Sequence, residues 1–350
     1  MTPEVALILG IDGLANGAVY LLAGLGLVLI FSVTRVVFVP FGDVAAFAAL
    51  SLAALETGRL PATVGLVATL AVLALAVEIR SLVVRGEARR IPRALLGWGL
   101  LPALPCLAAW AIAGRAVPAP LQVAVAVALV VPIIPLIARV ALQPIADASV
   151  LVLLIASLAL HFLLSGLGLL FFGPEGSRTA PLVGGAIALG GFSVSGQVLL
   201  MIGAAVVLSG LFFLAFERTV AGKALRATAV NRIGARLVGI RPARTALLAY
   251  VCASLLAGLI GILVAPVTTM YYDSGFLIGL KAFVAAIIGG LVSYPLTAIG
   301  ALAVGVVESF ASFWSGALKD VIVFSLLIPV LLLRSFFSSH AEEEEEEIDE

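Results

Sequence analysis

Three ionisable side chains, Asp43, Lys281 and Glu308, lie within long apolar stretches of the sequence. If such stretches cross a membrane, charged groups within them are costly and usually face a cavity, a partner or the interface. An acid and a base in that setting could relay a proton, hold an ion or line the route of a polar solute. We expect Lys281 and Glu308 to face a bundle interior and to pair or flank such a route. The alternative is that the Lys281 amine simply reaches the interface.

Polar side chains also stand alone at Asn16 and His161. Each could bond a neighbouring helix, and His161 has no second histidine or nearby acid at ligand spacing, so no metal or cofactor site is predicted. Asp43 follows Gly42, which permits a helix break that the carboxylate could cap. The candidate pathway residues are therefore Asn16, Asp43, Lys281 and Glu308.

The elements that position these residues follow from composition, because 63% of the 350 residues are hydrophobic and 11% are charged. A soluble domain could not bury so much apolar surface. The long apolar runs predict an all-α, polytopic membrane helix bundle of about eight to eleven spans. A β-barrel would instead show apolar and polar residues alternating along each strand. The short segments 42–57 and 276–293 are candidates for broken or re-entrant helices. The predicted helices lie near 5–33, 42–57, 61–79, 94–113, 121–139, 149–171, 197–216, 246–266, 276–293, 296–313 and 319–335.

Charge divides the chain into one transmembrane domain, 1–340, and an acidic tail, 341–350, that is predicted to be disordered. The tail holds eight of the twenty acids, so the body carries 20 bases against 12 acids. The arginine-rich connections 80–93 and 217–245 are separated by four predicted helices and so lie on one side, which the positive-inside rule assigns to the cytoplasm. The same count predicts a cytoplasmic C-terminus and an external N-terminus.

The connection 217–245 is amphipathic and free of proline before Pro242. Apolar residues recur at helical spacing, and Gly239 followed by Pro242 forms a helix stop. The pattern predicts a short cytoplasmic helix whose apolar ridge has no evident home in its own chain. It could lie on anionic membrane lipid or dock in a groove of a partner and transmit force. The ridge consists of Ala229, Ile233, Leu237 and Ile240.

This connection resembles that of the permeases of branched-chain amino acid ABC importers. Residues 223–240 are similar to the family pattern KALRATAxNREAARLVGI. Residues 279–291, GLKAFVAAIIGGL, resemble GLKAFxAAVLGGxGS, and 300–308 resemble GGLxLGxxE. Residues 16–26, NGAVYLLAGLG, are similar to NGxxxGxxYALxAxGL, and Lys319, Asp320 and Phe324 resemble KDxxxF. The matching regions cover about half of the chain, in the family's order.

The resemblance implies that the connection couples the permease to an ATPase. The implied coupling residues are Arg226, Ile233, Gly234, Ala235, Leu237 and Gly239. This chain carries Ile233 and Gly234 where the family consensus has Glu and Ala. It also reads Phe38 to Asp43 as FVPFGD, where many members carry Asn-Phe-Ala-His-Gly-Glu, so a leucine-type substrate is not fixed by the resemblance.

Energy must come from another polypeptide, because the sequence has no G-x-x-x-x-G-K-[ST] phosphate loop. The resemblance implies ATP-binding cassette subunits, a second permease subunit and an extracytoplasmic solute-binding protein, acting at the inner membrane. No nucleic-acid partner is expected. The chain itself is not predicted to be an enzyme.

Two other function classes compete with an importer subunit. An ion-coupled secondary transporter would use Asp43, Lys281 and Glu308 for its ion or proton. An intramembrane enzyme is the weakest alternative, because the spans contain no paired aspartates, no H-E-x-x-H and no Ser-His arrangement.

Overall fold

A computed structural model describes residues 2–146, 148–189 and 192–332 as a bundle of α-helices with one β-hairpin. Eight of the helices described are long and apolar enough to cross a membrane, which confirms the predicted fold class. In chain order the elements are α1 (Pro3–Thr34), α2 (Phe41–Glu56), α3 (Thr63–Val84), α4 (Ala88–Ile112), α5 (Ala119–Ile145), α6 (Val150–Phe172), β1 (Ala186–Leu189), β2 (Phe192–Ser195), α7 (Gly196–Arg218), α8 (Val220–Val230), α9 (Arg232–Leu237), α10 (Pro242–Val264), α11 (Ser274–Ile288), α12 (Tyr294–Trp314) and α13 (Lys319–Ser325).

Most of the predicted helices are present, with three differences. The connection 217–245 does not form a single helix, because α8 ends at Val230 and a separate helix, α9, begins at Arg232. The antiparallel hairpin of β1 and β2 was not predicted. The last predicted helix, 319–335, is interrupted at Leu326, after α13 (Lys319–Ser325), and residues 327–332 are helical again. The predicted acidic tail 341–350 lies outside the described residues.

Two long helices have irregular segments. α4 starts with the 3-10 turn Ala88–Arg90 and contains a π-helical stretch, Leu95–Leu100. In α5 the α-helix ends at Val130, before Pro132, and a π-helical stretch follows at Ala138–Leu142. Proline lacks the N–H that an uninterrupted helix needs, which accounts for the break in α5.

The helices form a buried centre and an exposed periphery. α1 lies at the centre, with 78% of its most apolar window buried, whereas the corresponding value is 11% for both α4 and α7. Glycines bring α1 and α12 together, since a Cβ atom added to Gly305 would lie 2.2 Å from the Gly17 nitrogen. Helices in lipid associate through such small residues.

The directions of the helices place both arginine-rich connections at one end of the bundle. α5 and α10 run antiparallel, because Val130 lies against Gly258 and the Ile134 N–H donates to Ser254 Oγ at 3.3 Å. Near its end, α5 holds the end of α3 through Arg139, whose Nε donates to Glu78 Oε2 at 2.6 Å. The end of α3 and the start of α10 are therefore at the same end. We call this the basic end.

Helices α1 and α12 also run antiparallel, and the start of α1 lies at the end opposite the basic end. Gly13 lies against Val306, and Gly24 lies against Thr297. The last turns of α1 pack against α8 and α10 at the basic end, where Leu29 and Leu225 share an apolar cluster. The opposite end is therefore formed by the first turns of α1 and the last turns of α12.

Two short helices, α2 and α11, begin against each other inside the bundle. They have 16 and 15 residues, fewer than the roughly 20 that a span requires. A Cβ atom added to Gly42 would lie 1.8 Å from the Gly275 carbonyl oxygen, so only glycine permits this contact. Asp43, in the first turn of α2, contacts His161 in the middle of α6. The two half-helices thus start at mid-depth, as the sequence suggested for these short segments.

Candidate translocation site and coupling surface

A buried ionic cluster joins four helices. Lys281 Nζ on α11 lies 2.5 Å from Glu308 Oε1 on α12 and 2.8 Å from Asp320 Oδ1 on α13. The Tyr20 hydroxyl on α1 donates to the other Glu308 oxygen at 2.5 Å. Lys281 and Glu308 are only 4% and 6% exposed. The predicted pairing of Lys281 with Glu308 in the bundle interior is therefore confirmed, and Lys281 does not reach out to the interface.

The cluster contains two carboxyl groups and one amine. With both carboxylates ionised, one ammonium faces two anions, and Tyr20 supplies a hydrogen bond without a charge. Charges removed from water need such partners, because their desolvation is expensive. The Asp320 side chain is 33% exposed, so its carboxyl group remains near solvent.

A cavity of about 370 Å³ adjoins this cluster at the end opposite the basic end. Its walls combine acids, one amine, hydroxyl groups and apolar side chains. Because Glu308 belongs to both the wall and the cluster, a bound polar molecule would contact charged groups that are held in place. The lining residues are Leu9, Asp12, Ala15, Asn16, Val198, Met201, Val267, Glu308, Ser309, Ser312, Phe313 and Lys319.

Sequence reasoning placed Asn16 and Glu308 in the candidate site but omitted Asp12 and Tyr20. The spacing of Asp12, Asn16 and Tyr20 is four residues, which places all three on one face of α1. That spacing was the signal available in the sequence. Asp320, also omitted, lies within the KDxxxF resemblance.

Asp43 and His161 form a second buried polar contact at mid-depth. His161 Nδ1 on α6 lies 2.7 Å from Asp43 Oδ2 in the first turn of α2, and their exposures are 5% and 0%. The His161 ring stacks on Phe276 of α11 with 4.4 Å between centroids. The prediction that Asp43 caps a half-helix is wrong, because Pro40 occupies the N-cap and the Asp43 carboxylate bonds His161 instead. His161 bonds a neighbouring helix, as predicted.

Two short helices rather than one form the predicted coupling element. The Thr219 hydroxyl accepts from the Gly222 N–H at the start of α8, and Asn231 Oδ1 accepts from the Gly234 N–H at 2.8 Å at the start of α9. Asn231 has extended backbone angles, so the chain changes direction there and the predicted continuous apolar ridge is interrupted. Serine, threonine and asparagine favour such N-cap positions because they bond the free amides of the first turn.

The predicted coupling residues divide into buried and exposed groups. Ala235 is buried, and Gly239 has the positive φ of 85° that glycine adopts readily at a helix end. Arg226 bonds within its own chain, to Glu217 Oε1 and the Phe216 carbonyl oxygen, both at 2.9 Å. Ile233 and Leu237 are exposed by 72% and 84%. Together with Val230 and Val238, which are exposed by 85% and 75%, these two side chains form an apolar surface at the basic end.

Comparison with known proteins agrees with this architecture. A profile described as the permease component of branched-chain amino acid transport systems matches residues 10–331. The chain is 32% identical over 206 residues to the high-affinity branched-chain amino acid transport system permease protein BraD of Pseudomonas aeruginosa, covering 57% of this chain and 67% of BraD. It is 32% identical over 208 residues to LivH of Escherichia coli K12, covering 56% of this chain and 66% of LivH.

A further relative is archaeal. The probable branched-chain amino acid transport permease protein LivH of Methanocaldococcus jannaschii is 32% identical over 218 residues, 57% of this chain and 68% of that protein. The matched stretches thus span about two thirds of these relatives. No solved structure matches the chain.

The fold is that of a multi-pass membrane protein, and a polar cavity adjoins its buried charge cluster, as a transport protein would require. Because the profile matches nearly all of the chain, the protein belongs to the family of permease components of branched-chain amino acid transport systems. Members of this family are transport subunits rather than enzymes.

Proposed function

We propose that this chain is the permease subunit of an ABC importer for branched-chain amino acids or a related small polar solute. The family match over residues 10–331 carries this proposal. ATP-binding cassette subunits would hydrolyse the nucleotide, a second permease subunit would complete the membrane part, and an extracytoplasmic binding protein would deliver the solute. Residues 1–340 would form one transmembrane domain.

The cavity beside the ionic cluster suits a zwitterionic solute with an aliphatic side chain. Lys319 offers an ammonium for a carboxylate, and Asp12 offers a carboxylate for an ammonium. Val198, Met201 and Phe313 supply apolar wall, and the volume of about 370 Å³ accommodates a small solute. Glu308 is already held by Lys281 and Tyr20, so Asp12 and Lys319 are the groups we assign to the solute.

Orientation follows from the arginine-rich connections. The basic end would face the cytoplasm, because short loops rich in arginine remain on that side. The cavity at the opposite end would then open toward the side from which solute arrives, and the C-terminus would be cytoplasmic. Cavity and ATPase would act at opposite ends of the same helices.

Helices α8 and α9 would receive the force. Ile233 and Leu237 present apolar side chains at the basic end, where a cytoplasmic subunit could bind them by helix-in-groove docking. Arg226 would act by tying α8 to the end of α7. Movement of α8 would reach α1 and α10 through the cluster around Leu225.

Reconstitution tests the transport function. The permease, copurified ATPase subunits and the binding protein would be placed in proteoliposomes, and uptake of labelled leucine, isoleucine and valine would be measured. We expect uptake to require ATP and to continue after ionophores collapse ion gradients. Uptake that needs a gradient and continues without ATP would instead support an ion-coupled secondary transporter using Asp43, Lys281 and Glu308.

A substitution in α9 tests the coupling role. Leu237→Asp places a charge on the proposed contact, and we expect loss of ATPase association and of ATP-dependent uptake. Val84→Asp is the matched control, because Val84 is 80% exposed, close to the 84% of Leu237, and also lies at the basic end. If ATPase copurifies with the Leu237→Asp protein at the level of the control, Leu237 does not bind the ATPase. That result would contradict the assignment and favour a contact of α9 with membrane lipid alone.

A further inference from the structure

The hairpin of α3 and α4 carries an apolar groove on the outside of the bundle. Its volume is about 220 Å³, and it lies between Ala68, Ala71 and Leu75 of α3 and Gly99, Ala103 and Cys106 of α4. Only 22% and 11% of the most apolar windows of these two helices are buried. The groove therefore belongs to the surface that a membrane protein presents to lipid.

Four exposed arginines stand at the basic end of the same hairpin: Arg80, Arg85, Arg89 and Arg93. Within the part of the chain that the structure describes, none of the four forms an ion pair. Arg90, by contrast, is paired with Glu87 at 2.8 Å. The hairpin thus combines an unneutralised basic end with an apolar groove deeper in the membrane.

The distance between the arginines and the groove fits within the thickness of one membrane leaflet. Leu75 and Ala68 precede Arg80 by five and twelve residues, or roughly 8 and 18 Å along the helix axis. A leaflet contributes roughly half of a hydrocarbon core about 30 Å thick. An acyl chain whose headgroup lies among the arginines would therefore run along the groove.

We propose that the α3–α4 hairpin binds an anionic phospholipid, with the phosphate among Arg80, Arg85, Arg89 and Arg93 and one acyl chain between Leu75 and Gly99. The charge of the arginines selects an anionic headgroup over a zwitterionic one, and the absence of charged or polar side chains among the residues lining the groove selects an acyl chain. This site is separate from the solute cavity and from α8 and α9.

Two glycines in the π-helical stretch provide a matched pair of variants. A Cβ atom at Gly99 would lie 3.6 Å from Leu75 Cδ2, so a leucine there would occupy the groove. A Cβ atom at Gly97 would have no heavy atom within 4 Å. Gly99→Leu therefore removes the acyl-chain space, and Gly97→Leu adds the same side chain in the same stretch without doing so.

Native mass spectrometry of the intact chain in a neutral detergent tests the proposal, with phosphatidylglycerol and phosphatidylcholine of identical acyl chains as probes. We expect tighter binding of phosphatidylglycerol, and a loss of about fivefold for each of the four arginines changed to glutamine. Arg90→Gln should have a smaller effect, since Arg90 is already paired. Gly99→Leu should weaken binding of the lipid, and Gly97→Leu should not.

Three results would overturn the proposal. Equal binding of the two lipids would remove the role of the arginines, and equal binding by the Gly99→Leu and Gly97→Leu proteins would remove the role of the groove. Displacement of the lipid by glycerol phosphate at equal concentration would show that the arginines bind a free phosphate group. Thermal unfolding of each variant without added lipid checks that it is folded, so that lost binding is not lost structure.

Discussion

Two buried charge sites lie in the same bundle, and they differ in what surrounds them. The Lys281 cluster joins four helices and shares Glu308 with the wall of a cavity of about 370 Å³. The Asp43–His161 contact joins two helices at the meeting point of the half-helices, and neither residue lines that cavity. Burial of charge alone therefore does not identify a solute site. The neighbouring cavity distinguishes a pair that can respond to solute from one that holds helices together.

The two sites also differ in how their charges are compensated. Lys281 lies between two carboxylates: it donates a hydrogen bond to Glu308 and forms an ion pair with Asp320, whose Oδ1 has no hydrogen-bond partner among the described residues. Asp43 has a single bond to His161, and its second oxygen, Oδ1, has no hydrogen-bond partner among the described residues. Removal of the Lys281 side chain should consequently lower the stability of the protein more than removal of the Asp43 side chain.

The largest expected effect is that of Lys281→Met, which leaves Glu308 and Asp320 without their cation. Breaking a buried pair by removing one partner typically costs about 3–5 kcal/mol. We expect a large fall in the apparent Tm of the purified protein, with partial recovery in the Lys281→Met/Glu308→Gln double variant. Lys223→Met at an exposed position is the control. A Tm shift no larger than that of the control would show that the cluster does not stabilise the bundle.

The Asp43 site should give an intermediate effect. Asp43→Ala leaves buried His161 without its hydrogen bond, which typically costs about 1–3 kcal/mol, and loosens the start of α2 against α6. Asp43→Asn retains an oxygen that can accept from His161 and should lose less stability. The measurement is thermal unfolding of both proteins beside wild type. If Asp43→Asn is as unstable as Asp43→Ala, the negative charge matters more than the hydrogen bond.

The sequence was sufficient to predict the Lys281–Glu308 pair and the membrane helix bundle. Apolar runs leave few positions for a buried charge, so an acid and a base on neighbouring helices had few other partners. The Asp43–His161 contact was not predicted, because 118 residues separate the two positions and local spacing around His161 carries no signal of so distant a partner. Long-range packing of α2 against α6, rather than local spacing, creates that contact.

The break at Asn231 shows a different limit of the sequence. Apolar periodicity continued through residues 229–240 and favoured one helix, yet the asparagine side chain bonds the Gly234 N–H and starts a new one. Cap chemistry thus outweighed periodicity. An asparagine three residues before a glycine was the local signal, and the averaged apolar pattern concealed it.

The smallest expected effect on stability, and the one that most directly separates the two sites, is that of Asp12→Asn. Asp12 is exposed in the cavity wall and forms no ion pair among the described residues, so its substitution should change the free energy of unfolding by less than about 0.5 kcal/mol. If it binds the solute ammonium, loss of a hydrogen bond to a charged group of about 1.5–3 kcal/mol should raise the KM for uptake by about tenfold or more. Lys319→Gln should behave similarly through the carboxylate, whereas Asp43→Asn should leave KM unchanged. An unchanged KM in both Asp12→Asn and Lys319→Gln, with normal expression, would place the solute outside this cavity and leave the Lys281 cluster with the same helix-holding role as the Asp43–His161 contact.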